Sequence, residues 1–189
     1  MKLLEQTIME KGIILPGNVL QVKNFLSEMV DPKLLEKMAD EWYKLFSNVK
    51  VDKVVTIESS GIALALFVAK KFGCELVVVR KGDSLKNNAY SASVFSNTKD
   101  KDYTISVDKS FIKEDENILI IDDILANGSI CDALISIIKY AKAKVSGIGF
   151  AIEKAFLDGG KRLRDNGYNV QSLAIIKKLD YNNKCIDFI

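Results

Sequence analysis

Apolar residues along this chain follow two rhythms that take turns. Val54-Val55-Thr56-Ile57, Leu76-Val77-Val78-Val79, Ile118-Leu119-Ile120-Ile121 and the stretch Val145 to Ile152 are dense in β-branched and aliphatic residues and present almost no polar face. Runs of this kind fit strands buried on both faces of a parallel sheet. Between them the period changes. Leu34, Leu35, Met38, Trp42, Leu45 and Phe46 recur at helical spacing, as do the residues from Ile62 to Phe72 and then Ile130, Leu134, Ile135 and Ile138. Strands alternating with amphipathic helices predict a doubly wound, mostly parallel α/β sheet, with its ligand loops gathered at the carboxyl ends of the strands.

Local signals place the ends of these elements. Asp31-Pro32 reads as an N-cap with proline at the first helical position, and Gly73 closes the helix that begins at Ile62. Ahead of this core, Lys2 to Lys11 has helical spacing with Gly12 as its stop. Ile13 to Leu15 and Val19 to Val22 are short extended pieces around Pro16-Gly17, expected to form an accessory layer. After the core, Asp158 to Gly167 reads as helical, and Val170 to Ile176 and Cys185 to Ile189 as strands. Gly147 and Gly149 allow close packing on the strand from Val145. The polar segment KGDSLKNNAYSASVFSNTKDKD alternates from Tyr90 to Ser96, as a hairpin arm does, in loosely held surroundings that suggest a mobile lid.

Composition narrows the class. The chain has 189 residues, 48% hydrophobic and 28% charged, a balance that excludes disorder, collagen and coiled coil as the main class. That length builds one sizeable core and is too short for two catalytic domains, so residues 1–189 are taken as one domain. Basic and acidic residues number 27 and 25, a net charge of +2 without any block of one sign, which argues against nucleic acid as a partner. The longest apolar run, Gly61 to Ala69, stops at Lys70-Lys71, far short of the roughly 20 residues of a membrane span. Glu5, Glu10 and Lys11 interrupt the N-terminus where a signal peptide would be apolar. The expectation is a cytoplasmic protein that engages no membrane.

Two absences limit the chemistry. Histidine is missing altogether, which removes Ser-His and Cys-His nucleophiles and histidine-ligated metals. Cys74, Cys131 and Cys185 lie far apart without the paired spacing of a zinc or redox site. Cys74 and Cys131 sit in apolar contexts as small buried hydrophobes. What remains is carboxylates, lysine, tyrosine, backbone dipoles or a hard cation, an inventory that suits Mg²⁺.

The most informative stretch is Asn117 to Asp132, NILIIDDILANGSICD. A buried strand ends in Asp122 and Asp123, and a short loop leads into a helix. Gly128 permits a positive φ and Ser129 is a good N-cap, so the backbone N–H groups of Ala126, Asn127, Gly128, Ser129 and Ile130 can converge at a helix N-terminus. Such a cup, with the helix dipole behind it, suits a phosphate. Two carboxylates beside it suit hydroxyl donors, with a metal ion possible nearby. Phosphate plus diol points to a ribose 5-phosphate. Upstream, Val54 to Ile57 runs into Glu58-Ser59-Ser60-Gly61 and a helix, a second cup on the same sheet edge. Arg80 and Lys81 end the next strand, Arg80 being the better phosphate partner because it can bind in bidentate fashion.

In order and spacing, the hydrophobic strand, acid pair, small-residue loop and helix resemble the phosphoribosyl-diphosphate signature of the type I phosphoribosyltransferases. The variant ILIIDDILANGSI, with TIESSGIA, YSASVFSNTK and EKAF, is most similar to the xanthine-using branch, and the likeness covers nearly the whole chain. It implies transfer of a phosphoribosyl group from 5-phosphoribosyl 1-diphosphate to xanthine with Mg²⁺, by a homodimer. On this resemblance Asp122 and Asp123 hold the ribose hydroxyls, and Ala126 to Ile130 hold the 5-phosphate. Ser59, Ser60, Gly61 and Arg80 grip the diphosphate. Lys154 donates to the oxygen at purine C6 and Phe156 stacks on the base.

The resemblance also implies a core over about 32–155 and a hood from 1–31 and 156–189 that covers the base, where Leu20 matches the family and Ser27 stands in place of the usual Asn. The lid closes over the substrate, with Tyr90, Ser93 and Lys99 as candidate contacts. Lysine at 154 favours a 6-oxopurine over adenine. The departure at Ser27 leaves a hypoxanthine-guanine enzyme open. A non-catalytic sensor of the diphosphate substrate is a further alternative, although the helix-turn-helix that such regulators carry is missing. A receiver domain is remote, because the acid pair follows an interior strand.

Overall fold

The computed structural model describes residues 1–82, 88–96 and 101–189; the central part of the predicted lid, Lys99 included, lies outside the described residues. The strands are β1 (Ile13–Leu15), β2 (Val19–Gln21), β3 (Lys53–Ile57), β4 (Glu75–Lys81), β5 (Ala89–Ser96), β6 (Lys101–Asp108), β7 (Asn117–Leu125), β8 (Lys144–Lys154), β9 (Val170–Asp180) and β10 (Cys185–Phe188). The helices are α1 (Lys2–Lys11), α2 (Pro32–Leu45), α3 (Gly61–Phe72), α4 (Ser129–Tyr140) and α5 (Gly159–Asp165). Eight strands form one sheet in the order β10-β9-β8-β7-β3-β4-β6-β5, and β1 pairs with β2 apart from it. The central pairs β9–β8, β8–β7, β7–β3 and β3–β4 are parallel. The outer pairs β10–β9, β4–β6 and β6–β5 are antiparallel.

Period two along β7 divides its side chains between two cores. Leu119 and Ile121 pack with Leu35, Met38, Trp42, Leu64 and Val68 of α2 and α3. Ile118 and Ile120 pack with Leu134, Ile137 and Ile138 of α4. All four are fully buried, each contributing about 1.5–3 kcal/mol by leaving water. This explains why the run has no polar face: a parallel sheet with helices on both sides offers no wet one. Cys131 joins the α4 core as expected and Cys74 is half-buried.

The helix ends follow their signals. Asp31 caps α2, its carboxylate accepting from the N–H groups of Lys33 and Leu34. Gly73 closes α3 in the left-handed conformation, φ 68°. Gly149 lets α2 approach β8: a Cβ there would lie 2.8 Å from Trp42 Nε1. Trp42 is core, and its indole N–H donates to Gln171 O at 3.2 Å.

The two chain ends meet. Leu4, Ile8 and Leu20 share a core with Leu173, Ile176, Leu179 and Ile186 of β9 and β10. The Met1 ammonium donates to Leu173 O and pairs with Glu5. No helix among the described residues is long and apolar enough to cross a membrane.

Candidate active site

Parallel pairing of β3, β4, β7 and β8 brings their carboxyl ends to one edge of the sheet, and the loops after β3, β7 and β8 leave from it. β7 runs to Leu125, so Asp122 and Asp123 sit inside its last turn of pleat, not beyond its end. Asp122 is buried, with Oδ1 accepting the Asp123 N–H at 2.9 Å, while Asp123 is half-exposed and accepts the Ile124 N–H at 2.8 Å. Burial, and then the charge of Asp123, push the Asp122 carboxyl well above the usual carboxylate range, with Lys81 pulling weakly the other way.

Beyond the acids the chain turns at Gly128, φ 86° and ψ 6°, a left-handed conformation that glycine adopts without strain. The predicted role of Ser129 as N-cap is corrected: Gly128 holds the cap position and Ser129 is the first helical residue. The Ser129 N–H is satisfied by Asn127 Oδ1 at 3.2 Å, so the asparagine does what the serine was expected to do. The turn closes a cavity of about 60 Å³ lined by Asp122, Ile124 to Cys131 and Phe150.

The second predicted cup lies against the first. A Cβ on Gly61 would fall 2.2 Å from Thr56 Oγ1 and 2.6 Å from Asp122 Oδ1, so the start of α3 rests directly on Asp122. Ser59 is exposed and Ser60 half-exposed. Thr56 Oγ1 is buried and without a hydrogen-bond partner among the described residues. Arg80 does not point freely into this space: Nη1 binds Glu58 Oε2 at 2.8 Å, and the same carboxylate accepts the Lys81 N–H at 2.6 Å. These bonds, the Arg80 one foremost, hold the Glu58 carboxyl below its ordinary range. Lys81 instead lies with Nζ 5.8 Å from the centre of the Tyr103 ring, and its charge reaches Asp122. Sequence reasoning set Lys81 aside, although strand alternation alone requires the neighbours Arg80 and Lys81 to face opposite ways.

β8 ends at Lys154, which is half-buried and has no carboxylate partner among the described residues. Burial pulls its ammonium below the ordinary lysine range. Phe156 follows in a short 3₁₀ turn, 43% exposed and free to stack. The residue before the lysine, Glu153, escaped notice in the sequence. It is buried, and receives Arg164 through both nitrogens at 2.8 and 2.6 Å and Ser172 Oγ at 2.5 Å. Burial works to raise its carboxyl, but the bonds from Arg164 and Ser172 outweigh this and hold it low. Gly160 makes room for the clamp, since a Cβ there would be 1.9 Å from Glu153 Oε1.

Of the two predicted base contacts in the N-terminal segment, Leu20 lies on β2 and Ser27 in the turn that follows it. The Leu20 side chain is buried in the core, near Gly12. Ser27 is half-exposed in the turn after Phe25 and Leu26. Tyr90 and Ser93 lie on β5, paired with Val107 and Thr104 of β6.

An acid pair, the loop that turns at Gly128, a second loop resting on Asp122 and a lysine without a carboxylate partner among the described residues are gathered at one edge of the sheet. Residues 27–188 match the family model described as phosphoribosyl transferase domain, and the chain belongs to that family. Curated relatives sharpen the likeness. The chain is 45% identical to a protein of Finegoldia magna named xanthine phosphoribosyltransferase, over 94% of each chain. It is 47% identical to one of the same name from Bacillus cytotoxicus, over 95% of this chain and 92% of the relative. Among solved structures, the adenine phosphoribosyltransferase of Rhodothermus marinus superimposes with a TM-score of 0.77 at 25% identity, covering 93% of this chain and 99% of that one.

Proposed function

We propose that this protein transfers the 5-phosphoribosyl group of 5-phosphoribosyl 1-diphosphate to N9 of xanthine, giving xanthosine 5′-monophosphate and diphosphate. The bond from C1 to the diphosphate oxygen breaks, the bond from C1 to N9 forms, and N9 loses its proton. The near full-length likeness to enzymes of that name supports the acceptor. The observation that carries the reading here is Lys154: a half-buried ammonium with no carboxylate partner among the described residues has donors to offer a ligand, and the C6 oxygen of a 6-oxopurine accepts one.

The transition state is expected to be cation-like at the ribose, so the site gains by holding the sugar rigidly and by meeting the charge that leaves. Asp122 and Asp123 would accept from the ribose hydroxyls, and the Ala126 to Ile130 loop would hold the 5-phosphate. Ser59, Ser60 and Gly61 would hold the diphosphate. Lys81 is set to meet the departing charge, and Arg80 is available once released from Glu58. Phe156 would cover the base, and residues 1–31, Leu20 and Ser27 among them, would complete the hood with residues 156–189. The half-exposed Asp123 beside Asp122 fits a magnesium ion carried in by the diphosphate, since such ions take one or two carboxylates and keep several waters. When bound, it would neutralise the leaving diphosphate. The same reading takes the enzyme as a cytoplasmic homodimer, and light scattering of the purified protein checks the dimer.

Ser27 favours a second reading, a hypoxanthine-guanine enzyme, because the hood residue nearest the family's C2 contact is shortened. Purified protein, 5-phosphoribosyl 1-diphosphate and Mg²⁺ with each of xanthine, guanine, hypoxanthine and adenine separate the two. Xanthine turning over at least tenfold faster than the others supports the proposal; comparable guanine or hypoxanthine turnover moves the assignment; adenine as best substrate refutes the role of Lys154.

A further inference from the structure

We infer that Arg162 is a positioning residue for the phosphate loop: from α5 it fixes the peptide plane of Asn127-Gly128 so that the loop offers N–H groups, not carbonyls, to the 5-phosphate. The inference rests on reading Ala126 to Ile130 as the phosphate cup. A backbone loop binds an anion only if its carbonyls are turned away, because each planar trans peptide points its oxygen opposite to its N–H. Two carbonyls of this loop are held toward α5. Asn127 O accepts from Arg162 Nη2 at 3.1 Å. Ala126 O abuts Gly159, where a Cβ would lie 2.2 Å from it. Their partner N–H groups, on Gly128 and Asn127, therefore face away from α5, and no α5 residue lines the cavity beside Asp122.

The same guanidinium deals with a charge that would oppose the ligand. Asp132 lies in the first turn of α4, where a carboxylate repels a phosphate at the helix start. Arg162 pairs with it in bidentate fashion, Nη1 to Oδ1 at 3.0 Å and Nη2 to Oδ2 at 2.6 Å. Both partners are more than two-fifths exposed, so the pair adds little to stability. Its effect is on the shape of the loop, and α5 follows Phe156 so closely that the same helix ties the base segment to the phosphate loop.

Ribose 5-phosphate is the probe, titrated calorimetrically into the full-length protein. Arg162→Ala is expected to weaken its binding about tenfold, close to the loss of one charge-assisted hydrogen bond, with the melting temperature little changed. In turnover the KM for 5-phosphoribosyl 1-diphosphate rises and that for xanthine hardly moves. The double variant Arg162→Ala, Asp132→Asn separates the two effects and is expected to keep most of the loss, because the Asn127 carbonyl remains unheld. Wild-type affinity in Arg162→Ala, or its full return in the double variant, overturns the proposal. Arg162→Met, which retains the aliphatic stem, repeats the test if alanine fails to fold. Wild-type protein that does not bind ribose 5-phosphate overturns the cup and this role together. Binding without xanthine turnover sinks only the proposed reaction.

Discussion

Adding one methyl group at Gly61 should uncouple the two halves of the site. The new Cβ would lie 2.2 Å from Thr56 Oγ1 and 2.6 Å from Asp122 Oδ1, and neither neighbour can swing away, since Thr56 is fully buried and Asp122 nearly so. Reaching an ordinary separation of about 3.5 Å requires the start of α3 to retreat by roughly 1 Å. Overpacking of this kind costs about 1–3 kcal/mol of stability, a fall of roughly 2–12 °C in Tm for a domain of this size. The catalytic loss should be larger, because a misplacement of about 1 Å in reacting groups costs about 10²-fold in rate. Steady-state kinetics of Gly61→Ala, alongside thermal unfolding, test this. Gly73→Ala is the control: it lies at the other end of the same helix with φ 68° and open space around it, so it should lower Tm by a similar amount and leave kcat/KM nearly intact. Gly61→Ala with kcat/KM within threefold of wild type would refute the idea that this glycine sets the contact between diphosphate loop and acid pair.

Other substitutions probe the remaining parts. Lys154→Met removes the proposed charge-assisted hydrogen bond to the base and should lower kcat/KM for xanthine by about 10- to 100-fold, with no loss of Tm because a half-buried ammonium is removed; equal kcat/KM would exclude the lysine from base recognition. Glu153→Ala leaves Arg164 without its buried partner and should cost about 3 kcal/mol in urea unfolding, the low end for a broken buried pair because Arg164 keeps some water; a loss below 1 kcal/mol would mean the clamp is not structural. Because the Glu153 carboxyl is held low in the fold, the stability it confers is present above its unfolded pKa, about 4.3, and disappears as pH falls through the folded value. Asp122 has the opposite sign. Its folded pKa is raised, so wild-type stability declines as pH rises from about 3.9 through the folded value. Asp122→Asn should therefore match wild-type Tm near pH 4, exceed it by a margin that grows as pH rises through the folded value of Asp122, and abolish turnover. A constant difference in Tm across that range would refute the burial argument.

Much of the candidate site was legible because its chemistry is local. Asp122, Asp123 and the Ala126 to Ile130 loop lie within one strand, turn and helix, where neighbours in sequence are neighbours in space. Lys154 and Phe156 were readable for a related reason, since parallel strands deliver their ends to a common edge. The rest was hidden because it depends on which face a side chain takes or on contacts across the chain. Arg80 and Lys81 are equally plausible in a string of letters, but in the sheet Arg80 pairs with Glu58 while the charge of Lys81 reaches Asp122. Glu153 looks like any strand-end carboxylate until Arg164 and Ser172 are brought to it. Gly159-Gly160 reads as the weak start of a polar helix, and only packing shows one glycine against Ala126 and the other against Glu153.

The chain by itself determined the class of fold, the order of strands and helices and the turn at Gly128 after the acid pair, because hydrophobic period, capping residues and the φ of Gly128 are properties of short segments. Tertiary structure decided the state of the groups. Burial raises the Asp122 carboxyl and lowers the Lys154 ammonium, and desolvation is a matter of how much of the molecule surrounds a group, which no segment carries. It also decided which cations are spoken for: Arg162 by Asp132 and Asn127, Arg164 by Glu153, with Lys154 left without a carboxylate partner among the described residues. Each of those pairings spans an interval of chain that only folding closes.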